Sequence, residues 1–177
     1  MKTLIVYRSK YGAARQYAQW LQETLRCDCL ENKDLDPARL AGYDTIVLAG
    51  GVYAGRVAGL DLVIKNPGAF AGKRLAVLAT GMTPHHAELL PTLRSGNMTG
   101  PLSEMPLFYG RGGWPKARMT LPDRLLCTML EKSVVKKDPA ACAPQELPLR
   151  ETAGQKRDFD WTDRSALAPL IDWVNQA

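Results

Sequence analysis

The chain has 177 residues, of which 46% are hydrophobic and 23% charged, a balance typical of one globular domain and inconsistent with a largely disordered chain. No apolar run reaches the roughly 18 residues of a membrane-spanning helix, and the first apolar stretch is too short for a signal-peptide core, so we expect a cytoplasmic protein. The net charge of +5 is concentrated over 105–137 and favours an anionic partner, such as a membrane, a nucleic acid or an acidic protein.

Strand-like and helix-like patterns alternate through the first two thirds of the chain. In chain order we predict a strand over 3–7, a helix over 14–26, a strand over 27–30, a short helix over 34–40, a strand over 45–49, a helix over 57–65, a strand over 74–79, a helix over 85–93 and a strand over 106–109. Continuous apolar strands between helices predict a parallel sheet that is covered on both faces, and right-handed crossovers make it doubly wound.

The last third of the chain has a different pattern. It predicts a helix over 121–135, a polar proline-containing loop over 136–158 and a final helix over 164–176. Five apolar residues are predicted to share one side of the first of these helices: Leu121, Leu125, Met129, Leu130 and Val134. We therefore predict one domain over 1–177, with a helical and loop insertion over 111–160 before its last helix.

The cysteines do not have the spacing of a metal site. There is no C-x-x-C pair and no histidine at ligand spacing, so we predict no bound metal. Cys27 and Cys29 are two residues apart and share one face of the predicted strand. Two interpretations remain open for them, a pair of small buried side chains or a redox pair.

Three turns follow the first, third and fourth predicted strands, at the edge where doubly wound sheets bind ligands. The first turn precedes a helix, and its Ser9, Lys10, Gly12 and Arg15 suit a phosphate group. The second is rich in glycine around Tyr53, which allows a planar ring to approach and stack. G-x-G-x-x-G and Walker motifs are absent. The turns therefore suit a mononucleotide with a flat ring, unless they are only tight connections.

The sequence resembles a known family in these same segments. TLIVYRSKYGAAR over 3–15 and DTIVLAGGVYAGRVAG over 44–59 resemble the flavodoxin-domain proteins. RGGW over 111–114, the basic helix over 121–137 and DFDWT over 158–162 resemble the branch often labelled menaquinone-dependent protoporphyrinogen oxidase. The resemblance implies an α/β, flavodoxin-like, doubly wound five-stranded parallel sheet of order 2-1-3-4-5, with an insertion after strand 5, and flavin mononucleotide (FMN) as cofactor.

The resemblance also implies which residues bind FMN. Those expected at the phosphate are Ser9, Lys10, Tyr11, Gly12, Ala13 and Ala14. Those expected along the isoalloxazine ring are Gly51, Val52, Tyr53, Ala54 and Gly55 on one side, and Thr80, Gly81, Met82 and Thr83 on the other. The usual phosphate loop is roughly T-x-T-G-x-T, and Tyr11 and Ala14 lack two of its hydroxyl donors. At about 1 kcal/mol each, their loss predicts weakened FMN binding, for which Lys10 and Arg15 are candidates to compensate.

Charge near the expected ring bears on the reaction. The cations and histidines predicted at or near the flavin edge are Lys10, Arg15, Arg56, His85, His86 and Arg111. Positive charge there stabilises the reduced flavin and raises its potential, which favours an FMN-dependent oxidoreductase linked to a quinone, similar to protoporphyrinogen oxidase. A flavodoxin-type electron carrier and a flavin-less interaction protein remain alternatives. The redox chemistry belongs to the flavin, so we assign no catalytic residue.

The basic helix over 121–137 has two interpretations. Its apolar residues, bordered by Arg124, Lys132, Lys136 and Lys137, suit a helix that lies on an anionic membrane. The alternative is that the helix packs on its own domain. We expect no nucleic-acid partner.

Overall fold

The computed structural model describes residues 1–176 and contains one parallel sheet with helices on both faces. In chain order its strands are β1 (Thr3–Arg8), β2 (Asp28–Glu31), β3 (Thr45–Tyr53), β4 (Arg56–Val57), β5 (Arg74–Gly81) and β6 (Leu107–Arg111). The five parallel strands follow the order β2-β1-β3-β5-β6, and β4 pairs antiparallel with the end of β3. The predicted order of five parallel strands is therefore confirmed, with one two-residue strand added.

The helices cover the sheet and form part of the insertion. They are α1 (Ala13–Leu25), α2 (Asp61–Lys65), α3 (Pro67–Phe70), α4 (Leu89–Asn97), α5 (Leu121–Val135), α6 (Leu147–Thr152) and α7 (Ala168–Asn175). The bounds of α5 match the prediction. The Thr120 side chain caps the first turn by accepting a hydrogen bond from the Asp123 amide, and Pro122 has no amide hydrogen that would need an acceptor there. Within residues 1–176, no helix is long and apolar enough to cross a membrane.

Successive residues of the central strands point to opposite faces, and both faces are buried. Ile5, Val47 and Leu78 pack with α1 and α7, whereas Leu4, Ile46 and Val77 belong to the core on the other face. This double burial is why these strands are apolar throughout rather than alternating.

Two predicted elements start later than expected. β3 continues to Tyr53 and turns through Ala54 and Gly55, both with positive φ, into β4, the backbone of a tight hairpin. The helix predicted over 57–65 therefore begins only at Asp61. The helix predicted over 85–93 begins at Leu89, because Pro91 has no amide hydrogen and is tolerated only in a first turn.

Other differences are at the borders of elements. The helix predicted over 34–40 is replaced by two 3-10 turns, Asn32–Asp34 and Pro37–Gly42. The final helix starts as a 3-10 turn, Arg164–Leu167, before α7. The region predicted as a loop over 136–158 contains α6.

The insertion has a small core and a buried ion pair of its own. β7 (Gly113–Trp114) pairs with β8 (Phe159–Asp160), and Trp114, Met119 and Phe159 are buried together. Lys116 Nζ lies 2.6 Å from Glu131 Oε2. The other oxygen of that carboxylate accepts hydrogen bonds from Trp114 Nε1 and Thr152 Oγ1, both at 3.2 Å. The carboxylate thus joins β7, α5 and α6.

The apolar stripe predicted on α5 is divided in the structure. Val134 is 3% exposed and packs inward, whereas Leu121, Leu125, Met129 and Leu130 are exposed. At 100° per residue, Val134 is about 140° away from Leu121 around the helix axis. The inward side of α5 is instead completed by Glu131 and the half-buried Cys127.

Candidate functional site

A cavity of about 410 Å³ lies where β1, β3 and β5 end and the insertion begins. Eleven of the predicted site residues line it: Lys10, Tyr11, Ala13, Ala14, Gly51, Val52, Tyr53, Ala54, Thr80, Gly81 and Met82. The parallel strands bring these three turns together because all three end at one edge of the sheet. We refer to this space as the central cavity.

A smaller pocket of about 160 Å³ adjoins the central cavity through Lys10 and Tyr11, which line both. Its other predicted members are Ser9 and Gly12. Gly55 and Thr83 line neither space. Gly55 lies in the exposed hairpin turn, and the carbonyl of Thr83 accepts a hydrogen bond from Tyr109.

The smaller pocket has the geometry of an anion site. Gly12 has φ +107, a conformation that favours glycine, and its amide donates to Ser9 Oγ over 3.0 Å. No side chain caps α1, and its first turn contains no acidic residue, so the positive end of the helix dipole is uncompensated. Arg15 and Arg118 also line the pocket, as does the carboxylate of Glu31, which pairs with Lys33 at 3.0 Å.

Arg118 was missed by the sequence analysis, because it comes from the insertion. Its Nη1 lies 3.6 Å from the position that a Cβ on Gly12 would occupy. Its Nε lies 3.5 Å from Asp158 Oδ2, which holds the guanidinium at the pocket. More than a hundred residues separate Arg118 from the first turn, and no local pattern could have linked them.

Tyr53 lies across the second turn. A Cβ on Gly51 would be 2.7 Å from the Tyr53 hydroxyl oxygen, so only glycine allows the ring to lie there. The Lys10 amide donates to that hydroxyl over 2.9 Å, and Tyr11 meets the Tyr53 ring edge-on at 6.2 Å. Burial raises the pKa of Tyr53, which keeps the phenol neutral.

Tyr109 supports the third turn and was also missed by the sequence analysis. Its hydroxyl oxygen lies 2.7 Å from the carbonyl oxygens of both Gly81 and Thr83, and burial raises the pKa of its phenol. The Gly112 amide donates to the Gly81 carbonyl over 2.7 Å. The third turn is thus fixed by β6 and by the start of the insertion.

The insertion closes the central cavity with an apolar wall. Its members are Trp114, Met119, Leu126, Cys127, Leu130 and Leu149. One carboxylate accompanies them, since Asp123 pairs with Lys10 Nζ at 2.5 Å and accepts a hydrogen bond from Tyr11. These two hydrogen bonds hold the pKa of Asp123 below its usual value.

The structure does not place the predicted excess of positive charge in the lining of this cavity. Lys10 and Asp123 are the charged residues of its lining within residues 1–176, and they contact each other. Arg15 lines the smaller pocket instead. Arg111 donates a hydrogen bond from Nε to the Met82 carbonyl. Its guanidinium carbon lies 4.2 Å from the centroid of the Trp161 ring, on which it stacks. The remaining three of the six line neither space: Arg56, His85 and His86.

The two adjoining spaces fit the two ends of FMN. The smaller pocket offers a hydroxyl, a helix N-terminus and two guanidinium groups, which is a donor set for a phosphate. The central cavity has a mainly apolar lining, which suits a planar ring. The residues present are therefore compatible with the cofactor that the sequence predicts.

The chain was compared with family models, curated sequences and solved structures. A family model described as "Flavodoxin domain" matches residues 4–137. Among solved structures, the Trp repressor binding protein of Bacillus subtilis is 13% identical over 63% of this chain and 84% of that chain, with a TM-score of 0.46. Oxidised flavodoxin 1 of Bacillus cereus is 15% identical over 62% of this chain and 84% of that chain, with a TM-score of 0.39. No curated protein sequence gives a significant match. Because the family model covers well over half of the sequence, the chain belongs to the flavodoxin domain family.

Proposed function

We propose that this protein binds FMN with the phosphate in the smaller pocket and the isoalloxazine ring in the central cavity. The observation that carries the proposal is the junction of the two spaces at Lys10 and Tyr11. A polar pocket next to an apolar cavity is the arrangement that a phosphate joined to a flat ring requires. Membership of the flavodoxin domain family supports it.

Each part of the site has a role in this proposal. Ser9, the α1 N-terminus, Arg15 and Arg118 bind the phosphate, and the two arginines replace the hydroxyl donors missing at Tyr11 and Ala14. Gly51 leaves room for the Tyr53 ring and Gly81 for the Tyr109 hydroxyl, so both tyrosines pack against the turns that hold the ring. Bound FMN supplies the electron-accepting and electron-donating chemistry. The chain's own residues position the ring and exclude water.

The finer proposal is an oxidoreductase linked to a quinone, similar to protoporphyrinogen oxidase. It is supported by the apolar wall that Trp114, Leu126 and Leu130 place across the cavity from the flavin turns. Such a wall accommodates a large apolar ring next to the flavin. In the overall reaction, each quinone would take up two electrons and two protons from the reduced tetrapyrrole and become the quinol, so successive quinones would complete the oxidation to the porphyrin.

Anaerobic spectroscopy tests this reaction in two steps. FMN-loaded protein is mixed with protoporphyrinogen, and we expect loss of the visible flavin absorbance. A water-soluble menaquinone analogue is then added, and we expect the absorbance to return with formation of protoporphyrin. If FMN binds but its absorbance is unchanged by protoporphyrinogen, the quinone-linked activity is wrong while the flavin site stands.

A flavodoxin-type electron carrier is the second candidate. The contact between Lys10 and Asp123 favours it, because the cavity lining then has no net positive charge to stabilise the reduced flavin. A midpoint potential as low as that of carrier flavodoxins, together with no oxidation of protoporphyrinogen, would favour the carrier. A potential well above that range would favour the oxidoreductase.

A further inference from the structure

Helix α5 presents an apolar face to solvent. Leu121, Leu125 and Met129 follow each other at four-residue spacing on one side of the helix, and they are 78%, 64% and 61% exposed. No element within residues 1–176 covers them. An exposed apolar patch of this kind, with a polar border, is typical of an interaction surface.

The same face becomes basic towards the end of α5. Lys132 and Lys136 lie eleven and fifteen residues after Leu121, which places them on the same side of the helix. The acidic residues of α5 do not offset this charge. Asp123 pairs with Lys10, and Glu131 pairs with Lys116 on the inward side. The exposed face therefore combines apolar and cationic side chains.

A basic groove runs alongside this face. Its volume is about 850 Å³, and it lies between α5 and the turn over 153–156. Five cations line it: Lys116, Arg124, Lys132, Lys136 and Lys156. Its one carboxylate is Glu131, which is already in contact with Lys116. The groove thus has a net positive charge and suits phosphate-bearing groups.

The exposed face also borders the central cavity. Leu126 and Leu130 line the cavity and are themselves 57% and 44% exposed. Leu126 lies three residues before Met129 and is its neighbour on the helix surface. The exposed apolar surface of α5 therefore extends from the outward face to the lining of the cavity.

We propose that the outward face of α5 and the adjoining groove dock the protein on an anionic phospholipid bilayer. The apolar side chains enter the boundary between headgroups and acyl chains, and the cations bind lipid phosphates. Charge favours this occupant over a second copy of the chain, because a second copy would bring the same excess of positive charge to the interface.

Vesicle flotation tests the proposal at low salt, with phosphatidylcholine vesicles that either contain or lack phosphatidylglycerol. We expect the wild-type protein to float with the anionic vesicles and to be released by high salt. The triple variant Leu121→Gln/Leu125→Gln/Met129→Gln should lose affinity by at least about tenfold. Its matched control is Ile64→Gln, which changes an exposed apolar residue of α2 and should bind as the wild type does.

Charge is tested by a second pair of variants. Lys132→Gln/Lys136→Gln should weaken binding to anionic vesicles by about tenfold or more. Lys2→Gln/Lys65→Gln removes the same charge elsewhere and should have little effect. Circular dichroism and thermal melting verify that each variant is folded. Gln is a good helix former, so α5 should be retained.

Three results would overturn the proposal. The first is folded wild-type protein that does not float with anionic vesicles. The second is a triple variant that floats as well as the wild type. The third is a concentration-dependent dimer, seen by analytical ultracentrifugation and lost in the triple variant, without vesicle binding, which would assign the face to a second copy. The assay needs no flavin, so it succeeds or fails independently of the proposed function.

Discussion

Asp123 of α5 pairs with Lys10 of the first turn, with Lys10 Nζ 2.5 Å from Asp123 Oδ2. The same carboxylate accepts a hydrogen bond from Tyr11. The two side chains therefore fasten the insertion to the phosphate loop. The contact also neutralises Lys10, the cation that lines the central cavity within residues 1–176.

The first prediction follows from this ion pair. Asp123→Asn leaves Lys10 free to bind the FMN phosphate, while the amide can still accept a hydrogen bond from Tyr11. We expect the FMN dissociation constant to fall by a few fold, measured by quenching of flavin fluorescence.

The control is Glu23→Gln, which removes an equal charge from an exposed pair with Arg164 and should leave FMN affinity unchanged. A dissociation constant that rises in Asp123→Asn would contradict the prediction, because the carboxylate would then be required to hold α5 over the cavity.

Arg118 supplies the second prediction, since it brings a guanidinium from the insertion to the pocket next to Gly12. A hydrogen bond to a charged group contributes about 1.5–3 kcal/mol. Arg118→Gln should therefore weaken FMN binding by about tenfold or more. Riboflavin, which lacks the phosphate, should bind the variant and the wild type equally.

Arg157→Gln is the matched control, because Arg157 is also in the insertion but stacks on Phe159 outside both pockets. If Arg118→Gln weakens FMN and riboflavin equally, Arg118 does not bind the phosphate and acts only through the fold of the insertion.

The sequence predicted those features that depend on local pattern. Buried apolar strands identified the parallel sheet, and the spacing of apolar residues over 121–135 identified α5. Turn residues such as Gly12 and Gly51 identified the edge that forms the cavity. These signals lie within a few residues of the structures that they determine.

The features that the sequence could not predict depend on distant contacts. Arg118, Tyr109 and Asp123 reach the first and third turns only after the sheet has formed. The extension of β3 through Tyr53 was missed because the glycines that suggested a loop are needed for close packing, as the 2.7 Å approach at Gly51 shows. The division of the predicted apolar stripe of α5 into buried Val134 and four exposed residues depends on which side of the helix packs against the rest of the chain.

The buried pair of Lys116 and Glu131 gives the third prediction. Removal of one member of a buried pair costs about 3–5 kcal/mol, because the remaining charge loses its partner. Glu131→Leu should therefore lower the free energy of unfolding by about that amount, measured by urea denaturation with circular dichroism.

The double variant Lys116→Met/Glu131→Leu should recover more than half of this loss, because no unpaired charge is left buried. If the double variant is less stable than Glu131→Leu alone, the ion pair is not the reason for the loss. The hydrogen bonds of the carboxylate to Trp114 and Thr152 would then dominate.

The fourth prediction concerns the reactivity of Cys27 and Cys29. Burial raises the pKa of each thiol from 9.0 to about 11. At pH 8 only about one thiol in a thousand is then ionised, and the thiolate is the reactive form. We expect iodoacetamide to modify both residues much more slowly than a free thiol, with a rate that increases as the pH approaches 11.

Mass spectrometry of the intact and digested protein measures the rate of modification at each cysteine. The urea-unfolded protein, in which burial is lost, gives the reference rate. Rapid modification of both residues in the native protein at pH 8 would contradict the structural interpretation and would support a redox pair.

The proposed flavin site is tested most directly by titration of FMN with the purified protein, followed by loss of flavin fluorescence and by the visible spectrum. We predict a micromolar or tighter dissociation constant, a perturbed flavin spectrum and weaker binding of riboflavin than of FMN. FMN fluorescence that does not change with protein in large excess would contradict the proposal and would favour a flavin-less interaction protein with a flavodoxin fold.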